Sequence, residues 1–154
     1  MCRLLHKNIC TMNEWDIKKV LQTILQLLPQ EPCVWRVEWS ANLKIQGIDL
    51  SVQDIDITTN KEGIQVVRDA LKKYIIHDAF NTKIDARSLV CKMNNFEIEI
   101  NYYNDSRLHM FDNIEEIVWN DLPIPILPLE HAKMFYTLIG RKKKADIIST
   151  HLSD

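Results

Sequence analysis

Glycine is scarce in this sequence, which contains only three glycines in 154 residues, all widely separated. A glycine-rich loop that cradles phosphates needs several glycines within a few positions, because the backbone must approach the phosphate closely. The sequence therefore excludes a phosphate loop of the Walker type and one of the dinucleotide-binding type.

Patterns of paired metal ligands are also missing. The four cysteines, Cys2, Cys10, Cys33 and Cys91, show no C-x-x-C spacing, and the five histidines form no H-x-x-x-H pair. These spacings indicate neither a zinc site nor a disulfide framework. We therefore expect reduced thiols and a cytoplasmic protein.

Long apolar runs and a strong net charge are absent as well. No apolar stretch approaches the roughly 18 residues of a membrane span, and the start lacks a signal-peptide pattern. The net charge of −2 does not indicate nucleic-acid binding, and the only strong basic run is 141–144. The length and the 46% hydrophobic content predict one domain over 1–154, with 1–10 as a loose N-terminal extension.

Alternating acids and isoleucines mark the stretch 51–59. In a strand, Asp54 and Asp56 would share one face, and Ile55 and Ile57 the other. Two carboxylates at this spacing lie roughly 6.5 Å apart at their Cα atoms, so both can reach one metal ion. The pattern predicts a half-buried strand with an acidic face.

A second stretch, 96–100, repeats the pattern with Glu97 and Glu99 on one face. If the two strands lie close in one sheet, their acids crowd one patch and favour a cation between them. The alternative is a half-exposed sheet whose acids only face solvent.

The first half of the chain predicts helices and strands in alternation. A β-rich stretch, 34–39, precedes Ser40, which is a good N-cap for a short helix that Gly47 would end. Asn60 is a good N-cap for the next helix, whose apolar face runs from Ile64 to Tyr74.

The second half predicts mainly strands followed by helices. Strands at 88–92 and 96–101 flank Asn94-Asn95, a pair suited to a tight hairpin, and 114–119 is a further strand. The proline-rich stretch 122–128 predicts an extended connector over the sheet surface. Helices then start at Pro128 and Arg141. We expect an α/β (α+β) fold with a mixed sheet flanked by helices.

These features resemble the nucleotidyltransferase superfamily, which has the DNA-polymerase-beta-like fold. In that family a Gly-Ser pair opens a short helix, an Asp-x-Asp strand follows, and a later strand supplies a third carboxylate. The matching residues are Trp39-Ser40, Asp54-Ile55-Asp56 and Glu99. The stretches 47–50 and 127–146 also resemble small prokaryotic nucleotidyltransferase-like proteins, so the likeness spans about 34–148.

The resemblance implies roles for individual residues. Asp54, Asp56 and Glu99 would hold Mg²⁺, and Glu99 would also accept the proton of an attacking hydroxyl. Ser40 would contact the β- or γ-phosphate, and its alternative role is a plain helix cap. The family glycine is Trp39 here, and its indole would crowd the triphosphate or stack on a base.

The basic residues Arg141, Lys143 and Lys144 would form a wall that neutralises the triphosphate. Their alternative role is that of ordinary charges on a solvated last helix. Tyr136 falls on the apolar stripe of its helix, so we expect it to face the core.

The implied function is Mg²⁺-dependent transfer of a nucleoside monophosphate from a nucleoside triphosphate to an acceptor that the sequence does not identify. The alternatives are a catalytically degenerate binding protein, a regulatory protein of the toxin–antitoxin type, and a purely structural metal site. Neither a membrane nor a nucleic-acid partner is indicated, and the oligomeric state is open.

Overall fold

The computed structural model describes residues 11–28 and 33–154. The expected N-terminal extension, 1–10, lies outside this part of the chain. The helices are α1 (Glu14–Leu27), α2 (Trp39–Ile45), α3 (Lys61–Ala70), α4 (Leu129–Leu138) and α5 (Lys142–Ser153). The strands are β1 (Trp35–Glu38), β2 (Ile55–Thr59), β3 (Ile75–Asn81), β4 (Ala86–Met93), β5 (Phe96–Tyr103), β6 (Glu115–Trp119) and β7 (Leu122–Ile126).

All of these strands form one mixed sheet in the order β3-β4-β5-β2-β1-β7-β6. β2 pairs with β5 in parallel and with β1 in antiparallel orientation. The Asn94-Asn95 hairpin is confirmed, because both residues adopt positive φ between β4 and β5. The mixed sheet with its helices confirms the expected α+β fold class.

One face of the sheet is apolar and carries the larger core. Ile55, Ile57, Ile98 and Ile100 are fully buried there, as their alternation predicts. They form one cluster with α1 and α3, including Ile17, Leu21, Ile24, Ile64 and Val67. Asn60 caps α3 as expected, since its Oδ1 accepts a hydrogen bond from the Gly63 amide at 2.7 Å.

The opposite face is polar near its centre and apolar at its end. A second cluster there joins Tyr103 of β5 to Phe135 and Tyr136 of α4 and to Ile148 of α5. Tyr136 is fully buried, as its place on the apolar stripe predicts. The two C-terminal helices therefore cover part of the polar face and leave a cleft beside them.

The proline-rich stretch differs from expectation, because Leu122–Ile126 is an interior strand and not a connector. Pro123 lies opposite Val118 and Pro125 opposite Glu116 in the register with β6. Because the two prolines are two residues apart, the amides that both lack would point to the same side of β7, which fits the side that faces β1. On that side β7 pairs with β1 only at Val37 and Ile126. The prolines are tolerated because almost no ladder exists where their amides would be needed.

The helix that follows Asn60 is also shorter than its apolar stripe suggests. α3 ends at Ala70, a 3₁₀ turn covers Lys72–Tyr74, and β3 follows as an edge strand that the sequence did not predict. None of the helices in the described part of the chain is long and apolar enough to cross a membrane.

Candidate functional site

Three carboxylates occupy one row across the centre of the polar face. Asp56 of β2 lies directly opposite Glu99 of β5 on one side and opposite Glu38 of β1 on the other. Asp54 precedes β2 by one residue and is half-buried. The structure thus brings Asp56 and Glu99 side by side, while convergence of all three expected ligands stays a prediction.

Glu38 is the member of this row that sequence reasoning missed. It is fully buried, and its Oε2 accepts hydrogen bonds from Arg36 Nε at 2.6 Å and from Thr58 Oγ1 at 3.2 Å. Its Oε1 is buried and has no hydrogen-bond partner among the described residues. The signal that could have found Glu38 is its place at the end of β1, because Trp35–Glu38 precedes the expected phosphate turn.

Arg36 stabilises the buried charge of Glu38 within the row. Besides Glu38, its guanidinium donates to the backbone oxygens of Leu108, at 3.0 Å, and His109. Because both charges of the pair are hydrogen-bonded, this buried ion pair can persist in the interior. The pair also ties the loop after β5 to the floor of the site.

Ser40 is not the N-cap of α2, which corrects the expected helix boundary. The helix begins at Trp39, its N-cap is Glu38, and no side chain caps it. The Ser40 hydroxyl instead accepts a hydrogen bond from Lys144 Nζ at 3.1 Å. Two residues expected to contact phosphate are therefore in direct contact, although 104 positions separate them.

Trp39 adopts a left-handed backbone conformation, with φ of 56°. This conformation costs a bulky residue on the order of 1–3 kcal/mol, so the surroundings must hold it in place. The indole packs edge-on against Phe135 and Tyr136, and its Nε1 donates to the Tyr103 hydroxyl at 3.3 Å. Trp39 thus adopts the backbone conformation that a glycine would adopt easily. Its indole, however, lies beside the cleft.

A cavity of about 280 Å³ opens where these elements meet. We call it the site cavity, and its lining includes Trp39, Asp56, Glu99, Asn101, Arg141 and Lys144. The Arg141 guanidinium lies over the Trp39 ring, 5.6 Å from its centroid. Lys143 is exposed and lies outside this lining.

Burial and charge together shape the titration of groups around the site. Burial and the neighbouring Arg141 lower the pKa of Lys144, and the attraction of Asp56 partly opposes them. Burial raises the pKa of Tyr136, and the negative charges of Glu38 and Asp56 raise it further. The Tyr136 hydroxyl therefore stays protonated beside the acids, and no described residue bonds to it.

The acids fit Mg²⁺ by their chemistry but do not enclose an ion by themselves. Within 11–28 and 33–154, no group of three His, Cys, Asp or Glu side chains could hold a metal ion unaided. Mg²⁺ in nucleotide enzymes is commonly held by one or two carboxylates together with substrate phosphates and water. The paired carboxylates of Asp56 and Glu99 suit that mode of binding.

Comparison of the fold with solved structures defines the class to which this architecture belongs. The chain has the nucleotidyltransferase fold. It is similar to a candidate nucleotidyltransferase from Thermotoga maritima, with a TM-score of 0.72 and 21% identity over 96% of this chain and 98% of the other. No family model and no curated protein sequence matches the chain.

Two further solved proteins share the fold at lower identity. The lincosamide antibiotic adenylyltransferase LnuA, solved with lincomycin bound, has a TM-score of 0.61 and 12% identity over 90% of this chain and 98% of the other. ANT(2″)-Ia, solved in complex with adenylyl-2″-tobramycin, has a TM-score of 0.62 and 9% identity over 87% of this chain and 88% of the other.

Proposed function

We propose that this protein transfers a nucleoside monophosphate from a nucleoside triphosphate to an acceptor hydroxyl, with Mg²⁺ as its cofactor. The observation that carries the proposal is the pairing of Asp56 with Glu99 in a cavity that also contains Lys144. Acids and cations facing one cavity suit a substrate with charged phosphates and a reaction that moves a proton. A reducing cytoplasm is the proposed setting, in keeping with the free thiols of Cys33 and Cys91.

The donor triphosphate would lie on the side of the cavity formed by α2 and α5. Lys144 and Arg141 would neutralise its β- and γ-phosphates, and the Ser40 hydroxyl would donate to a phosphate oxygen. Lys144 already contacts Ser40, so the two groups are positioned before substrate binds. Lys143 would contribute only long-range charge, because its side chain is exposed outside the cavity.

The acids would act on the reacting centre. Asp54, Asp56 and Glu99 would hold Mg²⁺, which when bound stabilises charge on the phosphate oxygens. Glu99 would accept the proton of the acceptor hydroxyl. Buried Glu38 lies opposite Asp56 on the neighbouring strand and is paired with Arg36. Its negative charge therefore favours a cation at this row.

A non-catalytic binding protein is the second candidate, and Trp39 is the observation that favours it. The indole lines the site cavity, so it narrows the space available to a triphosphate. A protein of this kind would bind a nucleotide or a smaller anion without transferring it.

Calorimetric titration with a non-hydrolysable ATP analogue, with and without Mg²⁺, tests the proposal. We expect Mg²⁺ to raise the affinity about tenfold or more, which corresponds to about 1.4 kcal/mol. Asp56→Asn should lose this increment, and Asp69→Asn, which removes an exposed acid on α3, should keep it. Binding that ignores Mg²⁺ would support the non-catalytic candidate, and no binding at all would overturn the proposed donor.

A further inference from the structure

A second cavity adjoins the site cavity on the outer side of Glu99. It also measures about 280 Å³ and lies over β3 and β4, with a lining that includes His77, Ala79, Phe80, Lys83, Val90 and Glu99. We call it the β3–β4 cavity. Glu99 lines both cavities, so its carboxylate stands between them.

The order of the strands fixes which cavity lies on which side of the reacting centre. The Ser40–Lys144 contact follows the end of β1, then come Asp56 of β2, Glu99 of β5, and finally β4 and β3. A nucleophile that attacks in line must approach from the side opposite the leaving pyrophosphate. If the phosphates lie against Lys144, the acceptor must therefore come from the side of the β3–β4 cavity.

We propose that the β3–β4 cavity is the acceptor subsite, and that it takes an alcohol bearing an anionic group such as a phosphate. This inference rests on the transferase function proposed above. The acceptor oxygen forms a bond to the α-phosphorus while the bond from that phosphorus to the bridging oxygen breaks. Pyrophosphate leaves with the electron pair, and the hydroxyl proton passes to Glu99.

The charges of the lining select the acceptor class. Among the described residues that line the β3–β4 cavity, Glu99 is the only carboxylate, whereas Lys83 and His77 are basic. With Glu99 engaged by the hydroxyl, Lys83 and His77 remain to donate hydrogen bonds to an anionic group. Val90 and Ala79, which the strand register places on the same face as Glu99, supply apolar surface for the carbon skeleton.

A neighbouring cavity of about 260 Å³ carries charges of both signs. Its lining includes the acids Asp85 and Asp105 and the cations Lys83 and Arg141, together with Trp39, Tyr103 and Ile139. Glu99 does not line it, and an acceptor held there would lack the base proposed for the reaction. This cavity therefore serves as the internal comparison for the test.

The test uses amide chemical shifts of the protein saturated with Mg²⁺ and a non-hydrolysable ATP analogue. Glycerol 3-phosphate is the probe, with glycerol and tobramycin as neutral and cationic comparisons. We expect glycerol 3-phosphate to shift amides of 77–83 and 88–90 at millimolar concentration, and the other two compounds to shift them less. Saturation by the analogue is measured first, so failure of the donor site is seen separately from failure of the acceptor subsite.

Two variants locate the binding. Ala79→Trp should fill the β3–β4 cavity and remove the shifts, while Ile139→Trp should partly fill the comparison cavity and leave them unchanged. Val90→Ala removes apolar surface without adding bulk, and it should weaken binding severalfold even if the larger substitution disturbs folding. Shifts confined to Asp85 and Asp105, absence of shifts with glycerol 3-phosphate, or stronger shifts with tobramycin would each overturn the proposal.

Discussion

The partly buried charge of Lys144 should lower the stability of the folded protein and strengthen its binding of a triphosphate. Its ammonium group is partly buried, donates to Ser40 and lies near both Arg141 and Asp56. Because burial and Arg141 lower its pKa below the usual value, the folded protein disfavours the charge that a phosphate would need. The negative charge of a bound triphosphate would favour the charged form of Lys144 again.

Replacing Lys144 with methionine should therefore stabilise the protein at neutral pH while weakening nucleotide binding. The folded-state pKa is lowered, so between it and the unfolded value of about 10.4 the unfolded chain binds more protons. Wild-type stability then rises with pH across that window, and the advantage of the variant should shrink there. Urea unfolding at neutral pH and at about pH 10 measures the change.

Lys143→Met is the matched control for this experiment, because Lys143 is exposed on the same helix. Its effect on stability should be small. If Lys144→Met instead destabilised the protein at neutral pH by more than the control, the Ser40 contact would outweigh the burial of the charge.

Strands β2 and β5 contribute residues to both the core and the site, because alternate side chains lie on opposite faces of the sheet. The isoleucines lie on the core face and the acids on the polar face. Ile57→Ala should reduce the free energy of unfolding by roughly 2–5 kcal/mol, because Ile57 is fully buried between the sheet and α1 and α3. Chemical denaturation measures the loss. Ile76→Ala on edge strand β3 is the comparison, and its half-exposed side chain should cost far less.

An Ile57→Ala loss equal to that of Ile76→Ala would show that β2 does not contribute its isoleucines to the core. The control is informative because both residues are isoleucines in strands of the same sheet. The two side chains differ in burial, because Ile76 is 50% exposed and Ile57 is not exposed at all.

Local pattern predicted the elements whose structure depends on their own residues. The alternation of β2 and β5, the Asn60 cap and the Asn94-Asn95 hairpin are of this kind. The proline-containing β7 could not be predicted, because its tolerance depends on how few pairs it makes with β1. Edge strand β3 begins directly after the helical stripe that ends at Tyr74, and only its pairing with β4 reveals it.

Two acids of the candidate site, Asp56 and Glu99, could be identified from the sequence, whereas Glu38 and the contacts of the site could not. Alternation within each strand identifies Asp56 and Glu99, but their register across the sheet is a tertiary property. The Ser40–Lys144 contact and the packing of Trp39 on Tyr136 join residues about a hundred positions apart. Nothing local in the sequence distinguishes these partners from ordinary helix residues.

At the scale of the whole molecule, the polar face concentrates negative charge in a protein whose net charge is only −2. Glu38, Asp56 and Glu99 repel one another across adjacent strands, with Arg36 and Lys144 as nearby cations. Without a bound cation this repulsion opposes folding. The stability of the folded protein should therefore respond to Mg²⁺.

Thermal unfolding of wild type and Asp56→Asn, each with EDTA and with millimolar Mg²⁺, measures that response. At about 100 times its dissociation constant, Mg²⁺ should stabilise the wild type by about 2.7 kcal/mol. Each kcal/mol raises the midpoint by about 2–4 °C in a protein of this size. Asp56→Asn should lose most of the rise, because it removes a ligand charge while keeping nearly the same shape, and its metal-free midpoint should equal or exceed that of the wild type.

Asp69→Asn should behave as the wild type does in both solutions. Equal midpoints for wild type and Asp56→Asn under all conditions would instead identify the acidic row as solvated charge and favour the non-catalytic candidate.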